Sequence, residues 1–281
     1  MRSFFKTPLV RLVAARLVYR NKRSVTSFPS GLHIIGILPA RWGSTRFPGK
    51  PLHILAGKPL IQHVWERCLG CSKLDDLIVA TDDDRIREAV LSFGGKVVMT
   101  SADHPTGTDR LAEAMRAVPL ASHIINIQGD EPLIDPALID DLAAAMIADP
   151  ELPMATAANV IDDEAAIADP NVVKVVLDAS GHALYFSRSP IPYRRNVPSG
   201  LLVYRHKGLY GYRRDFLERF VSWPPSLLEQ AESLEQLRAL ENGVRIKVLI
   251  TTDDSIGLDT PEQIPQIEQR LAAELFKLKT R

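Results

Sequence analysis

Cysteine is nearly absent from this chain: among 281 residues there are two, Cys68 and Cys71. That excludes a disulfide framework, and a zinc site would need two further ligands at suitable spacing, which do not follow. The C-x-x-C falls at the end of an expected helix. A redox thiolate is stabilised at a helix start, so both residues read as free, packed thiols. Net charge is absent too, with 34 Lys and Arg against 34 Asp and Glu, and nucleic-acid-binding domains are usually basic. No apolar run reaches membrane-spanning length. Acidic residues are missing before Glu66, whereas residues 1–33 hold seven Lys or Arg. Subtracting those seven from the 34 leaves a mildly acidic body, 27 basic against 34 acidic residues.

What is present fits an enzyme-sized α/β domain, since 46% of residues are hydrophobic and 24% charged. Residues 1–32 form a basic, acid-free, weakly amphipathic extension outside the expected fold. It reads as an upstream start adding a tail, or as an organelle-targeting segment. From residue 33 to 281 a single domain is expected. Strands are predicted at 33–39, 76–80, 96–99 and 123–128, with helices at 59–72, 84–93, 108–117 and 136–148. Strand–helix alternation with short links means a mostly parallel, Rossmann-like sheet with helices on both faces. MATAANV, VVKVVLD and ALYFS read as strands, and the whole as one α/β domain with an inserted β-rich excursion, often a dimerisation device. Helices at 213–220 and 226–242, a strand at 245–250 and a helix from Thr260 complete the expectation.

Ligands of open parallel sheets bind at the carboxyl ends of strands. After the first strand, PARWGSTRFPGKPL sets Arg41, Arg46 and Lys50 among Gly43, Ser44 and Gly49, suited to a polyphosphate. It is not a Walker A loop, because Gly43 to Gly49 is one residue too long and Pro51 replaces the hydroxyl. After the fourth strand, NIQGDEPLID places Asp130 just past the sheet edge, where a carboxylate suits Mg²⁺. A second acid is available at Asp259 in GLDTPEQ, which is also a good helix start.

Taken in order, PAR-x-x-STR-x-PGKPL, TSADH-x-x-GTDR, NIQGDEP, KVVLDASGHALYFSRSPIP, HKGLYGY, LEQAESLEQLRALENG and GLDTPE resemble the 3-deoxy-manno-octulosonate (Kdo) cytidylyltransferases. The resemblance runs from about Ile34 to Glu262. CMP-sialate synthetases share the reaction, but their first loop is closer to GGSKGIPGKN than to STRFPGKP. Phe47, Trp42-Gly43 and a shortened 193–203 segment depart from the family pattern.

The resemblance implies a nucleotide-diphospho-sugar transferase-like fold and transfer of CMP from CTP to Kdo, for lipopolysaccharide-type glycan synthesis. It implies Lys50, Asp130 and Asp259 as catalytic residues, with Mg²⁺ on Asp130 and Asp259. Arg41, Ser44, Arg46, Lys50, Gly107, Thr108, Arg110 and Asp130 would bind the nucleotide. Gln128, Arg188, Arg195, His206, Tyr210, Glu229 and Glu232 would surround the sugar. A cytoplasmic homodimer without nucleic acid or a membrane span is expected; an organelle-targeted enzyme is the alternative. Two rival functions stand beside this one: activation of another acid sugar, such as sialic acid or amino-Kdo, and a catalytically silent nucleotide-binding protein.

Overall fold

The structure, a computed structural model, describes residues 31–43 and 47–279. Ser44, Arg46 and nearly all of the basic extension lie outside the described residues. The first strand, β1 (Ile34–Ala40), is apolar almost throughout and buried on both faces, as a central parallel strand must be. It pairs in parallel with β2 (Asp76–Thr81) on one side and β4 (His123–Asn126) on the other, while β3 (Val97–Met99) extends the β2 edge. Helix α1 (Leu60–Cys68) follows β1, α2 (Asp84–Ser92) follows β2, α3 (Gly107–Arg116) follows β3, and α4 (Pro136–Ala148) follows β4. Each of the last three begins on an acceptor side chain: Asp83, Thr106 and Asp135 take the first free N–H groups of α2, α3 and α4.

The second half adds β5 (Met154–Ile161), α5 (Glu164–Ala168), β6 (Lys174–Leu177), β7 (Ala183–Ser187) and β8 (Val203–Arg213). Helices α6 (Arg214–Ser222), α7 (Leu227–Glu232) and α8 (Gln236–Glu241), strand β9 (Ile246–Thr251) and helix α9 (Ile264–Lys279) follow. The sheet runs β9-β5-β8-β4-β1-β2-β3, with β6 and β7 as a side flap on β8. Every strand on this path is parallel to its neighbours except β8, which lies antiparallel between β4 and β5. The expected mostly parallel α/β sheet is therefore found, with core clusters on both faces. A third, smaller cluster of Leu55, Leu60, Leu133, Leu258, Ile267 and Leu271 fastens α9 to the sheet edge.

Two expectations change. The stretch 203–213, read as the HKGLYGY motif with strand-like alternation only at Tyr210 and Tyr212, is the longest strand described, and it bulges between Lys207 and Tyr210. The helix expected over 226–242 is broken, because Ser233 takes a left-handed conformation (φ 52°) between α7 and α8. Cys68 and Cys71 are free and buried, and burial raises both thiols, Cys71 to about 12.

Candidate active site

Two cavities open side by side at the carboxyl ends of β1 and β4. The first, about 260 Å³, collects Arg41 and Lys50 from the loop after β1, and Gly107 and Arg110 from the start of α3. Gln128, Gly129 and Asp130 enter from the loop after β4, and Asp259 from the loop after β9. Local packing explains why these segments converge. Gly49 adopts φ +70°, donates its N–H to Trp42 O at 3.1 Å, and leaves no room for a Cβ against the Trp42 ring. The Arg85 guanidinium lies over the Trp42 ring, 3.4 Å from its centroid. This fold of the loop delivers Lys50 Nζ to within 2.5 Å of Asp130 Oδ2. A Cβ on Gly129 would stand 3.1 Å from Pro39 O and 3.2 Å from the Ile61 side chain, so glycine lets the two loops approach without pushing either aside. Leu258 N donates to Asp130 O at 2.8 Å and brings Asp259 to the same wall.

Arg110 lines this cavity but is 3% exposed, with its guanidinium held 2.5 Å from Thr100 Oγ1 and 3.1 Å from Asp82 Oδ2. That fixes the first turn of α3, and leaves Gly107 and the Thr106 cap to face a ligand. His104, unforeseen from the sequence, also lines the cavity and pairs with Glu113.

The second cavity, about 300 Å³, shares Pro39, Gly107 and Gln128 with the first. Its walls are the bulge of β8, with His206, Gly208, Tyr210 and Tyr212, and the break between α7 and α8, with Ser233 to Gln236. Gln128 Nε2 donates to Gly208 O at 2.9 Å, which ties the bulge to the loop after β4. Thr156 Oγ1 lies 3.1 Å from Lys207 O, 2.7 Å from Leu209 O and 3.0 Å from His206 Nε2. Its one hydroxyl proton goes to a carbonyl, so its lone pair receives a proton from His206 Nε2. Burial, and then the Lys207 charge, push the His206 imidazole down to about 3. His206 is thus a neutral ring whose Nδ1 carries the lone pair. Asn126 Oδ1 and Gln236 Nε2 are buried without partners on the same cavity wall. Buried polar groups left unpaired cost about 1–3 kcal/mol each, so a polyhydroxy ligand is the natural complement. Thr108 lines this second cavity, where its hydroxyl donates to Glu235 Oε2 at 2.6 Å. Burial raises the Glu235 carboxyl above its ordinary range.

A family profile described as cytidylyltransferase matches residues 35–246. The 3-deoxy-manno-octulosonate cytidylyltransferase of Geobacter sulfurreducens is 52% identical over 250 residues, covering 85% of this chain and 100% of that protein. The chain belongs to the 3-deoxy-manno-octulosonate cytidylyltransferase family. Its counterpart in Solibacter usitatus is 49% identical over 244 residues, 87% of this chain and 96% of that one. Among solved structures, CMP:2-keto-3-deoxy-manno-octonic acid synthetase complexed with CTP superposes with a TM-score of 0.82 at 46% identity. That match covers 86% of this chain and 99% of the other. The 4-diphosphocytidyl-2C-methyl-D-erythritol synthase of Anaerococcus prevotii, 15% identical with a TM-score of 0.59, shares the fold.

Within this cytidylyltransferase, four of the residues assigned to the sugar do not line either cavity. Glu229 is 7% exposed and committed to a two-bond pair with Arg238, besides closing the capping box of α7 with Ser226. Glu232 accepts from Ser187 Oγ at 2.6 Å and Arg188 N at 2.9 Å. Arg188 donates to the carbonyls of Glu232, Pro170 and Ser233. These two residues shape the α7–α8 break from behind. Arg195 is exposed, and its neighbour Arg194 pairs with Glu164. Asn126, Glu235 and Gln236 stand on the wall instead. Asn126 and Gln236 were inside quoted motifs, but their orientation depends on the β8 pairing and on the break at Ser233.

Proposed function

We propose that this enzyme transfers CMP from CTP to the anomeric hydroxyl of Kdo, releasing pyrophosphate. The observation that carries this reading is a cationic, carboxylate-bearing cavity joined to one lined with unpaired amide groups. The likeness to the CTP-complexed synthetase supports it. Arg41 and Lys50 hold the CTP phosphates in the first cavity, and Arg46 belongs to the same loop. Gly107, with the rigid first turn of α3, faces the nucleotide. In the second cavity Gln128, Asn126, Gln236, Tyr210 and the His206 Nδ1 lone pair orient the sugar. Its anomeric oxygen then points toward the boundary marked by Gln128, where it can approach the α-phosphorus in line. A bond forms from that oxygen to phosphorus as the bond to the pyrophosphate oxygen breaks, and the hydroxyl proton is released. Catalysis is then mostly positioning and charge neutralisation.

The donor set fits a magnesium ion. Two carboxylates, Asp130 and Asp259, share one wall, and their backbones are tied by the Leu258–Asp130 hydrogen bond. Hard oxygen ligands of this number suit Mg²⁺, which completes its shell from phosphates and water. When bound, the ion would neutralise phosphate charge and favour the ionised form of the attacking hydroxyl. Lys50, now on Asp130, would then be available to a phosphate oxygen.

A cytoplasmic homodimer making a precursor for lipopolysaccharide-type glycans completes the proposal. No helix among the described residues is long and apolar enough to cross a membrane. Exposed Leu184, Tyr193, Val197 and Leu202 on and beside the β6–β7 flap support its use in pairing. The test is pyrophosphate release with CTP, Mg²⁺ and Kdo, beside sialic acid and single-omission controls. Release only in the complete Kdo reaction is expected. Turnover with a different acid sugar would reassign the second cavity, and silence with every sugar from folded protein would overturn the enzymatic reading.

A further inference from the structure

Lys207 is 3% exposed and does not line the sugar-side cavity that its neighbours His206 and Tyr210 face. Its ammonium reaches under the two loops that carry the cavity carboxylates. Nζ donates to Ser255 O at 2.6 Å and to Ser255 Oγ at 2.8 Å. It stands 3.2 Å from Asp253 Oδ2 and 3.6 Å from Glu131 Oε2. Ser255 Oγ itself lies 2.7 Å from Asp253 Oδ2 and 3.3 Å from Glu131 Oε2. One cation thus joins β8, the loop after β4 and the loop after β9.

The placement matters because Glu131 adjoins Asp130 in the chain, and Ser255 lies four residues before Asp259. Beyond the Lys207 group, the described backbone link between these loops is the single Leu258–Asp130 hydrogen bond. Desolvating an ammonium costs several kcal/mol unless its partners are well placed. Here two carboxylates and two serine oxygens meet it, and none of them is a residue assigned to bind substrate. A structural core would fill the same space with apolar side chains at no such cost.

We propose that Lys207 is a positioning residue that holds the Asp130 and Asp259 loops in the register a divalent cation requires. The inference rests on the Mg²⁺ reading above. Lys207 touches neither substrate nor cation. It acts through Glu131 and Ser255, as outer partners of metal ligands generally do.

The test is a Mn²⁺ titration of the full chain at saturating CTP, followed by water proton relaxation, which separates protein-bound from free Mn²⁺–CTP. Wild type would be compared with D259N, K207M, S255A and K207M/D253N, each with its melting temperature and Mg²⁺-dependent kinetics. K207M should weaken Mn²⁺ binding about tenfold or more and lower kcat, with the CTP KM at saturating Mg²⁺ little changed. S255A, which keeps the buried charges, should fold normally and weaken Mn²⁺ binding by about threefold, a smaller share of the same effect. Removing one stranded carboxylate in K207M/D253N should restore melting temperature but not Mn²⁺ affinity. Wild-type Mn²⁺ affinity in K207M or S255A would overturn the proposal, as would joint recovery of affinity and melting temperature in the double variant. Unchanged Mn²⁺ binding in D259N would instead overturn the metal reading, and the Lys207 role with it.

Discussion

The two cavities lie against each other yet are made in opposite ways. The first cavity, proposed above for the nucleotide, is assembled from loops that leave the ends of parallel strands, with glycine where segments must touch and with Arg41 and Lys50 on its wall. The second, proposed for the sugar, is assembled from irregularities: a bulge in the one antiparallel strand of the main sheet path and a break between two short helices. The first gathers side chains from four segments that each carry a local sequence signal. The second exists only when β8 is seated between β4 and β5 and α8 is packed behind it. A site of the first kind should fail through single charged groups, and one of the second kind through the framework behind it.

The largest expected effect tests the nucleotide side. Asp130→Asn should lower kcat by about 10³-fold, or roughly 4 kcal/mol of transition-state stabilisation, with the melting temperature unchanged. Pyrophosphate release and thermal unfolding measure the two halves of that statement. Glu229→Ala should show the reverse pattern. Stranding the buried Arg238 guanidinium should cost about 3 kcal/mol of stability or more. The Kdo KM of whatever remains folded should stay near wild type, and a large rise in it with unchanged melting would return Glu229 to the sugar.

A pH series sharpens the comparison further. His206 has its folded-state proton affinity pushed down to about 3, below the 6.5 of an unperturbed imidazole. The unfolded chain therefore binds the extra proton first, and stability falls as pH drops from 6.5 toward 3. The slope from this group is about 1.4 kcal/mol per pH unit at most. Denaturant unfolding between pH 7 and 4.5 should show a shallower slope in His206→Gln than in wild type. The smallest effect belongs to Gln236→Ala, which should raise the Kdo KM about tenfold, the worth of one hydrogen bond to a buried amide. The CTP KM should not follow; an equal rise in both would mean that α8 had moved rather than that one contact was lost.

The same contrast explains what could be read in advance. Helix α4 was expected at 136–148 and is found at Pro136–Ala148, because Asp135 and Pro136 form a start signal that needs no tertiary context. Strand β1 and the loop behind it were legible for the same reason, as an apolar run ending in glycines and cations. Strand β8 was not, since Arg205, His206, Lys207 and Gly208 interrupt the alternation that marks a strand. Their polar atoms are satisfied by Asn159, Thr156, Ser255 and Gln128, all distant in sequence. The break at Ser233 was hidden because every residue from Leu227 to Glu241 is compatible with one helix. Arg188 and Glu232, which the resemblance placed around the sugar, turn their polar groups to backbone, to Ser187 and to each other. Family likeness alone does not separate a residue that touches a ligand from one that shapes the wall.

The seat that Gly49 provides for Trp42 has an optical consequence. Of the three tryptophans in the chain, Trp65 packs against Phe93 and Trp223 sits among Phe216 and Phe220, and neither lines either cavity. Trp42 alone belongs to the loop proposed to face the phosphates, with Gly49 against its ring and the Arg85 guanidinium 3.4 Å from its centroid. On the proposed reading, drawing Arg41 or Lys50 onto a polyphosphate should shift the loop that Gly49 ties to Trp42, and with it the emission of one indole. The chain therefore carries an intrinsic fluorophore beside its proposed nucleotide cavity, and a change in its emission on adding CTP would report occupancy without a label.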